Sequence, residues 1–133
     1  MDERLSGEIM ALAQRGLKLL ATCDDAGVPH LAAFGTMTLS AAGEVAVTDW
    51  FCPGTIMNAR RGHAVSLVVW DPGADVGHQL VGRVLEVQEL AVLDGYSPED
   101  EDKPPIPQME RRLLIKVDKV LAFHQAAHSD LEE

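Results

Sequence analysis

Cysteine is scarce in this chain: Cys23 and Cys52 are the only two, and no C-x-x-C pair occurs. A disulfide scaffold, a zinc ribbon and a thioredoxin-like redox motif are therefore excluded. Positive charge is short as well, with 11 Lys and Arg against 21 Asp and Glu, a formal net of −10. Such a chain repels polyanions, which argues against non-specific binding of DNA or RNA. No uncharged run reaches the length of a membrane span. The opening MDERLSGEIM is charged and has no long apolar core, so no secretory signal is expected. The location read from these features is cytoplasmic, with free thiols.

What is present is enough for one core. The chain has 133 residues, 47% of them hydrophobic and 24% charged. That suits a single domain that buries roughly two-thirds of its extended surface. Disorder, collagen and coiled coil are excluded as the dominant class.

Leu5, Ile9 and Leu12 recur at helical spacing and predict an amphipathic helix over about 3–15. Asp2 or Ser6 can cap it and Gly16 can end it. Leu17–Cys23, the turn residues Asp24, Asp25, Ala26 and Gly27, and Val28–Ser40 read as a β-hairpin. Glu44–Trp50 reads as a third strand, and Pro53-Gly54 breaks it. Thr55 is then expected as the N-cap of a short helix over Ile56–Arg61, closed by Gly62. Ala64–Trp70, Gln79–Leu90 and a strand carrying Leu113, Ile115 and Val117 complete the set, with a polar, proline-rich loop at 94–107. Helices do not alternate with strands, so a doubly wound parallel sheet is excluded in favour of an antiparallel barrel or sandwich. Residues 1–123 form one expected domain, followed by a polar tail, 124–133.

The segment VTDWFCPGTIMNARRG, Val47–Gly62, is where chemistry can sit. The first amides of a helix lack internal partners and carry partial positive charge, so a phosphate placed there gains several donors at once. The Thr55 hydroxyl adds another, and Arg60 and Arg61 are the only Lys or Arg between residues 19 and 82. The competing reading is a surface helix with a solvated arginine pair.

The order T-x-D-D-x-G-x-P-H (Thr22–His30), V-T-D-W (Val47–Trp50), G-T-x-x-N-x-R-R (Gly54–Arg61), an apolar strand (Val65–Trp70), H-Q-L-V-G-R-V (His78–Val84) and a closing strand (Leu113–Val120) resembles the pyridoxamine 5′-phosphate oxidase-like, FMN-binding split-barrel family. The likeness covers about residues 5–123. It implies a mainly β fold, a six-stranded antiparallel split β-barrel with an N-terminal helix and one short helix between strands three and four. It also implies a homodimer with two FMN molecules at the interface. Thr55 and Asn58 would lie about the phosphate, with Arg60 or Arg61 as the basic partner. The flavin ring would run along Ala33, Phe34, Gly35 and Thr36 and near Thr48, Asp49 and Trp50, and the partner subunit would close the site about Trp70 or Gln79. Many members carry a lysine directly before the threonine, where this chain has Gly54. The chain is too short for the C-terminal substrate-binding part of a true pyridoxamine phosphate oxidase, so that reaction is not expected. A small flavin-dependent oxidoreductase of unknown substrate is the first reading. The alternative is a non-enzymatic dimeric binding module for flavin, deazaflavin or haem.

Other signals are weaker. His124 and His128 stand four apart but lack a third ligand, and no metal is expected. The acidic run at 94–102 lacks the spacing of a calcium loop. His30, His63 and His78 read as strand-edge residues; Cys52, beside the expected site, reads as a ligand contact or, preferred, as a structural thiol, since nothing nearby in sequence would clearly lower its pKa.

Overall fold

The computed structural model describes residues 1–40, 42–93, 108–127 and 130–133. The loop read over 94–107 and His128 lie outside these residues. No helix among the described residues is long and apolar enough to cross a membrane.

Helix α1 spans Glu3–Arg15. Asp2 is its N-cap, accepting the Leu5 amide at 2.7 Å, and Leu5, Ile9, Leu12 and Ala13 form the buried stripe that the sequence spacing predicts. Gly16 ends the helix by close approach rather than by a left-handed conformation: a Cβ there would sit against the Trp70 carbonyl.

Seven strands follow, all antiparallel to their neighbours: β1 Leu17–Cys23, β2 Pro29–Ala33, β3 Thr36–Leu39, β4 Glu44–Asp49, β5 Ala64–Asp71, β6 Val76–Leu93 and β7 Gln108–Ala122. The order across the sheet is β2-β1-β5-β6-β7-β4-β3. Strands β2 and β3 are its two outer edges, yet only Phe34 and Gly35 separate them. Three Cα steps reach at most about 11 Å, so the sheet must curl until its edges meet, leaving a split barrel.

The strand count corrects the expected six. The segment read as one strand over Val28–Ser40 is two, because Phe34 turns into the core while the Gly35 amide is taken by the Asp49 carboxylate at 2.6 Å. The Phe34 amide still donates to the Lys18 carbonyl of β1 at 3.2 Å, so the β1 ladder stops at Gly35, and from Thr36 the chain pairs with β4 instead. The short helix accordingly lies between β4 and β5, the same place in the chain once the split strand is counted as two.

The barrel is filled by Leu20, Val45, Val47, Leu67, Val69, Leu80, Leu113 and Ile115, with Ile9 and Leu12 of α1 in the same cluster. β6 and β7 run well beyond their apolar cores as a twisted ribbon with three register shifts. At the first of these, Gly82 passes so close to the Lys116 carbonyl that no Cβ fits. The tail folds back on β7: Ala122 donates to Leu131, Glu133 donates to Val120, and the Glu133 carboxylate meets His78 Nδ1 at 2.6 Å.

Candidate functional site

Helix α2 spans Pro53–Arg60, with Cys52 at the N-cap position and proline in the first turn. This moves the expected start back by three residues. Proline lacks the amide that a first-turn position leaves unpaired and has the helical φ already set, so it starts the helix ahead of Thr55. Thr55 therefore lies inside the first turn and is not the cap. Gly62 follows the helix at φ +80, as its position predicts.

Thr55 is completely buried. Its hydroxyl lies 3.1 Å from His30 Nε2 and 3.2 Å from Cys52 Sγ, and His30 Nε2 lies 3.5 Å from the same sulfur. The three side chains form a closed triangle joining β2 to the first turn of α2. The Cys52 thiol is exposed, and it is held down to about 7. The Thr55 hydroxyl is the main cause and the Thr55 amide the next; modest desolvation opposes them, and His30 adds to the lowering. Cys52 is thus not the inert structural thiol that its sequence neighbours suggest.

Asn58 is also buried and donates from Nδ2 to Thr22 Oγ1 at 3.2 Å, pinning α2 to β1. Arg60 and Arg61 sit at the other end of the helix. Arg60 pairs with Glu89 at 3.7 Å, and Arg61 pairs with Asp25 at 3.7 Å. Asp25 also meets His63 Nε2 at 2.8 Å, and that contact, with Arg61 behind it, holds the carboxyl below the usual range. The structure thus separates the two guanidinium groups from the first-turn amides.

The β-strand part of the expected site does come together. Thr36 and Thr48 are register partners, and Asp49 bonds the Gly35 and Trp50 amides at 2.6 Å each. Ala33, Gly35, Thr36 and Trp50 are exposed, Thr48 and Asp49 half-buried, and Phe34 is a core residue. Gln79 stands apart. It donates to Ser66 Oγ at 2.6 Å in a shallow cleft of about 260 Å³ on the β1-β5-β6 surface, one wall of which is Thr22. Trp70 packs edge-on to Phe123 and donates to Asp75, so it serves the tail.

A larger cleft of about 480 Å³ opens beside the first turn of α2. Trp50, Cys52 and Pro53 form one wall, and Val92, Met109 and Arg111 of the β6–β7 ribbon face them. Arg111 is 17% exposed, its Nη2 lies 4.0 Å from Glu89, and its buried Nε has no hydrogen-bond partner among the described residues. Sequence reasoning set Cys52 beside the site but missed the contacts of His30 with it and the place of Arg111 in the cleft. The available signal was local only for Cys52, three residues before Thr55 at a helix start. Among the described residues, no group of three His, Cys, Asp or Glu is placed to hold a metal.

No family model and no curated protein matches the sequence. Solved structures do match in fold. HupZ of Group A Streptococcus superposes with a TM-score of 0.64 at 18% identity, covering 92% of this chain and 97% of that one. A protein from Clostridium acetobutylicum related to general stress protein 26 of Bacillus subtilis, of the pyridoxinephosphate oxidase family, gives 0.61 at 14% identity, covering 94% and 92%. An FMN-binding protein from Syntrophomonas wolfei gives 0.60 at 16% identity, covering 92% and 88%. The chain has the fold of the pyridoxamine 5′-phosphate oxidase-like proteins.

Proposed function

We propose that this chain is a homodimeric FMN-binding protein that acts as a small flavin-dependent oxidoreductase, with its ligand sites at the dimer interface. The carrying observation is the contact of His30 with Thr55, which sets the free edge of β2 beside the first turn of α2. A ligand with a flat hydrogen-bonding end and an anionic end meets both kinds of surface there.

The residues fit FMN unevenly. Among the described residues β2 pairs only with β1 and β3 only with β4, so the backbone about Ala33 and Thr36 has an open side for the imide edge of a flavin, while the Gly35 amide is held by Asp49. The Thr55 hydroxyl is already shared between His30 and Cys52, and it receives a phosphate only when one of them releases it. The open face of the first turn is at Gly54, where an added Cβ would meet nothing within 4 Å. We therefore place the phosphoryl end at Gly54, with His30 as the basic side chain that no lysine supplies here. Asn58 acts by holding α2 on Thr22. Bound FMN supplies hydride and electron transfer by its own ring chemistry. The chain supplies the strand edge, the wall of Trp50 and the helix terminus.

Titration of flavin fluorescence with FMN and with riboflavin tests this. FMN should bind about tenfold or more tightly than riboflavin, since only FMN reaches the helix amides. Gly54→Asp should abolish that preference by placing a carboxylate at the anion position. Absence of quenching by the protein, or equal affinity for the two flavins, overturns the reading. Anaerobic bleaching by NADH or NADPH then separates an oxidoreductase from a binding module.

A further inference from the structure

The Cys52, His30 and Thr55 triangle opens into the larger cleft rather than into the core, because Cys52 lines that cleft. A hydroxyl and an imidazole directed at one exposed sulfur are the groups that stabilise a thiolate. Arg111 also lines the cleft; its Nη2 lies 4.0 Å from Glu89, and its buried Nε has no hydrogen-bond partner among the described residues. The rest of the lining is apolar except for Gln108: Trp50, Phe51, Pro53, Val92 and Met109. The thiol and a guanidinium that is only loosely paired, with Glu89 at 4.0 Å, therefore line one cavity large enough for a small molecule.

From this arrangement we infer that Cys52 exchanges with small disulfides that carry a carboxylate, the carboxylate seated on Arg111. The Cys52 thiolate attacks one sulfur of the bound disulfide. The old S–S bond breaks as the new one to Sγ forms, and the leaving half departs as a thiolate with the electron pair. Cys52 is oxidised to a mixed disulfide, one half of the ligand is reduced, and no further oxidant is needed. The groups on the sulfur are His30 from β2 and Thr55 from α2; Arg111 from β7, with Glu89 of β6 beside it, lines the same cleft. The inference does not depend on flavin, and its test uses flavin-free protein.

Purified protein is treated with glutathione disulfide or with uncharged bis(2-hydroxyethyl) disulfide, and the adduct is located by peptide mass. Cys23, the half-buried thiol of β1, is the internal comparison. The adduct should form at Cys52 at least about tenfold faster than at Cys23. Alkylation of Cys52 by iodoacetamide should reach half its maximal rate near pH 7, the thiol being held at about 7. Thr55→Val should slow the reaction at pH 7 about tenfold. Arg111→Gln should remove the preference for glutathione disulfide while leaving reaction with the uncharged disulfide. The alkylation profile is taken on the unaltered chain and survives any failure of a variant to fold. Labelling of Cys52 no faster than Cys23, or a midpoint near about 8.5, overturns the thiolate. Equal rates with both disulfides in the unaltered chain overturn the carboxylate seat.

Discussion

The Asp49 carboxylate takes the Gly35 amide at 2.6 Å and so ties the end of β4 to the link between the two edges of the sheet. Its second oxygen takes the Trp50 amide at the same distance. One side chain thus fixes both the split in the barrel and the start of the loop leading to α2. Asp49→Ala leaves two backbone donors unpaired and should cost about 2 kcal/mol, the range for charged hydrogen bonds. Asp49→Asn keeps one acceptor and should cost about half as much. Urea unfolding with unchanged m-values checks both.

Gly82 should tolerate no side chain. A Cβ there would overlap the Lys116 carbonyl, a backbone atom held in the β6–β7 ladder. Gly82→Ala must move the ribbon at its first register shift. It should destabilise by more than about 3 kcal/mol, at the upper end of overpacking. Gly54→Ala is the control: its added methyl meets open space. The alanine should change stability by under about 1 kcal/mol.

The buried pair of Asn58 and Thr22 calls for a double-mutant cycle. Asn58→Leu alone strands the Thr22 hydroxyl, and Thr22→Val alone strands the Asn58 amide. Each should cost about 1–3 kcal/mol. Together they should cost clearly less than the sum, giving a coupling of about 1 kcal/mol. Additive losses would show that the two side chains do not stabilise each other.

Acid should loosen the turn between β5 and β6. Asp75 accepts the Gln125 amide at 2.7 Å, the Ala126 amide at 3.1 Å and Trp70 Nε1 at 3.2 Å. The Gln125 amide is the largest cause of its lowered pKa. Because the folded-state pKa lies below the unfolded value, the stabilisation is present above the unfolded value of about 3.9 and is lost as pH falls through the folded one. Asp75→Asn keeps a residue type suited to the left-handed φ of +53 but forgoes the charge. The melting temperatures of the unaltered chain and of the Asp75→Asn variant should differ at pH 7 and converge as pH falls through the lowered folded-state value. A constant difference across that range would remove the carboxylate from the acid response.

What could be read from the sequence was local. The α1 stripe and its Asp2 cap, the turn after β1 with Gly27 at φ +81, and Gly62 after α2 all follow from residues within one turn of each other. The split at Phe34-Gly35 was not legible, because it depends on a carboxylate 14 positions away. Thr55 looked like a cap since threonine commonly is one, but proline at the first helical position decided the start. The Cys52 environment joins residues 22 and 25 positions apart across β2 and α2, and no sequence pattern reports that. The outer halves of β6 and β7 carry mixed side chains on both faces, so alternation fades there although the ladder continues.

The strand order also governs the time course of synthesis. β1, β2, β5 and the start of β6 can pair as soon as each is made, whereas the β3–β4 hairpin joins the rest of the sheet through β7. A nascent chain therefore holds an unpaired hairpin edge until β7 emerges, and closure of the barrel waits on that distant contact. A ribosome stalled before residue 108 would display a half-finished barrel with Val45 and Val47 uncovered, a ready substrate for chaperones.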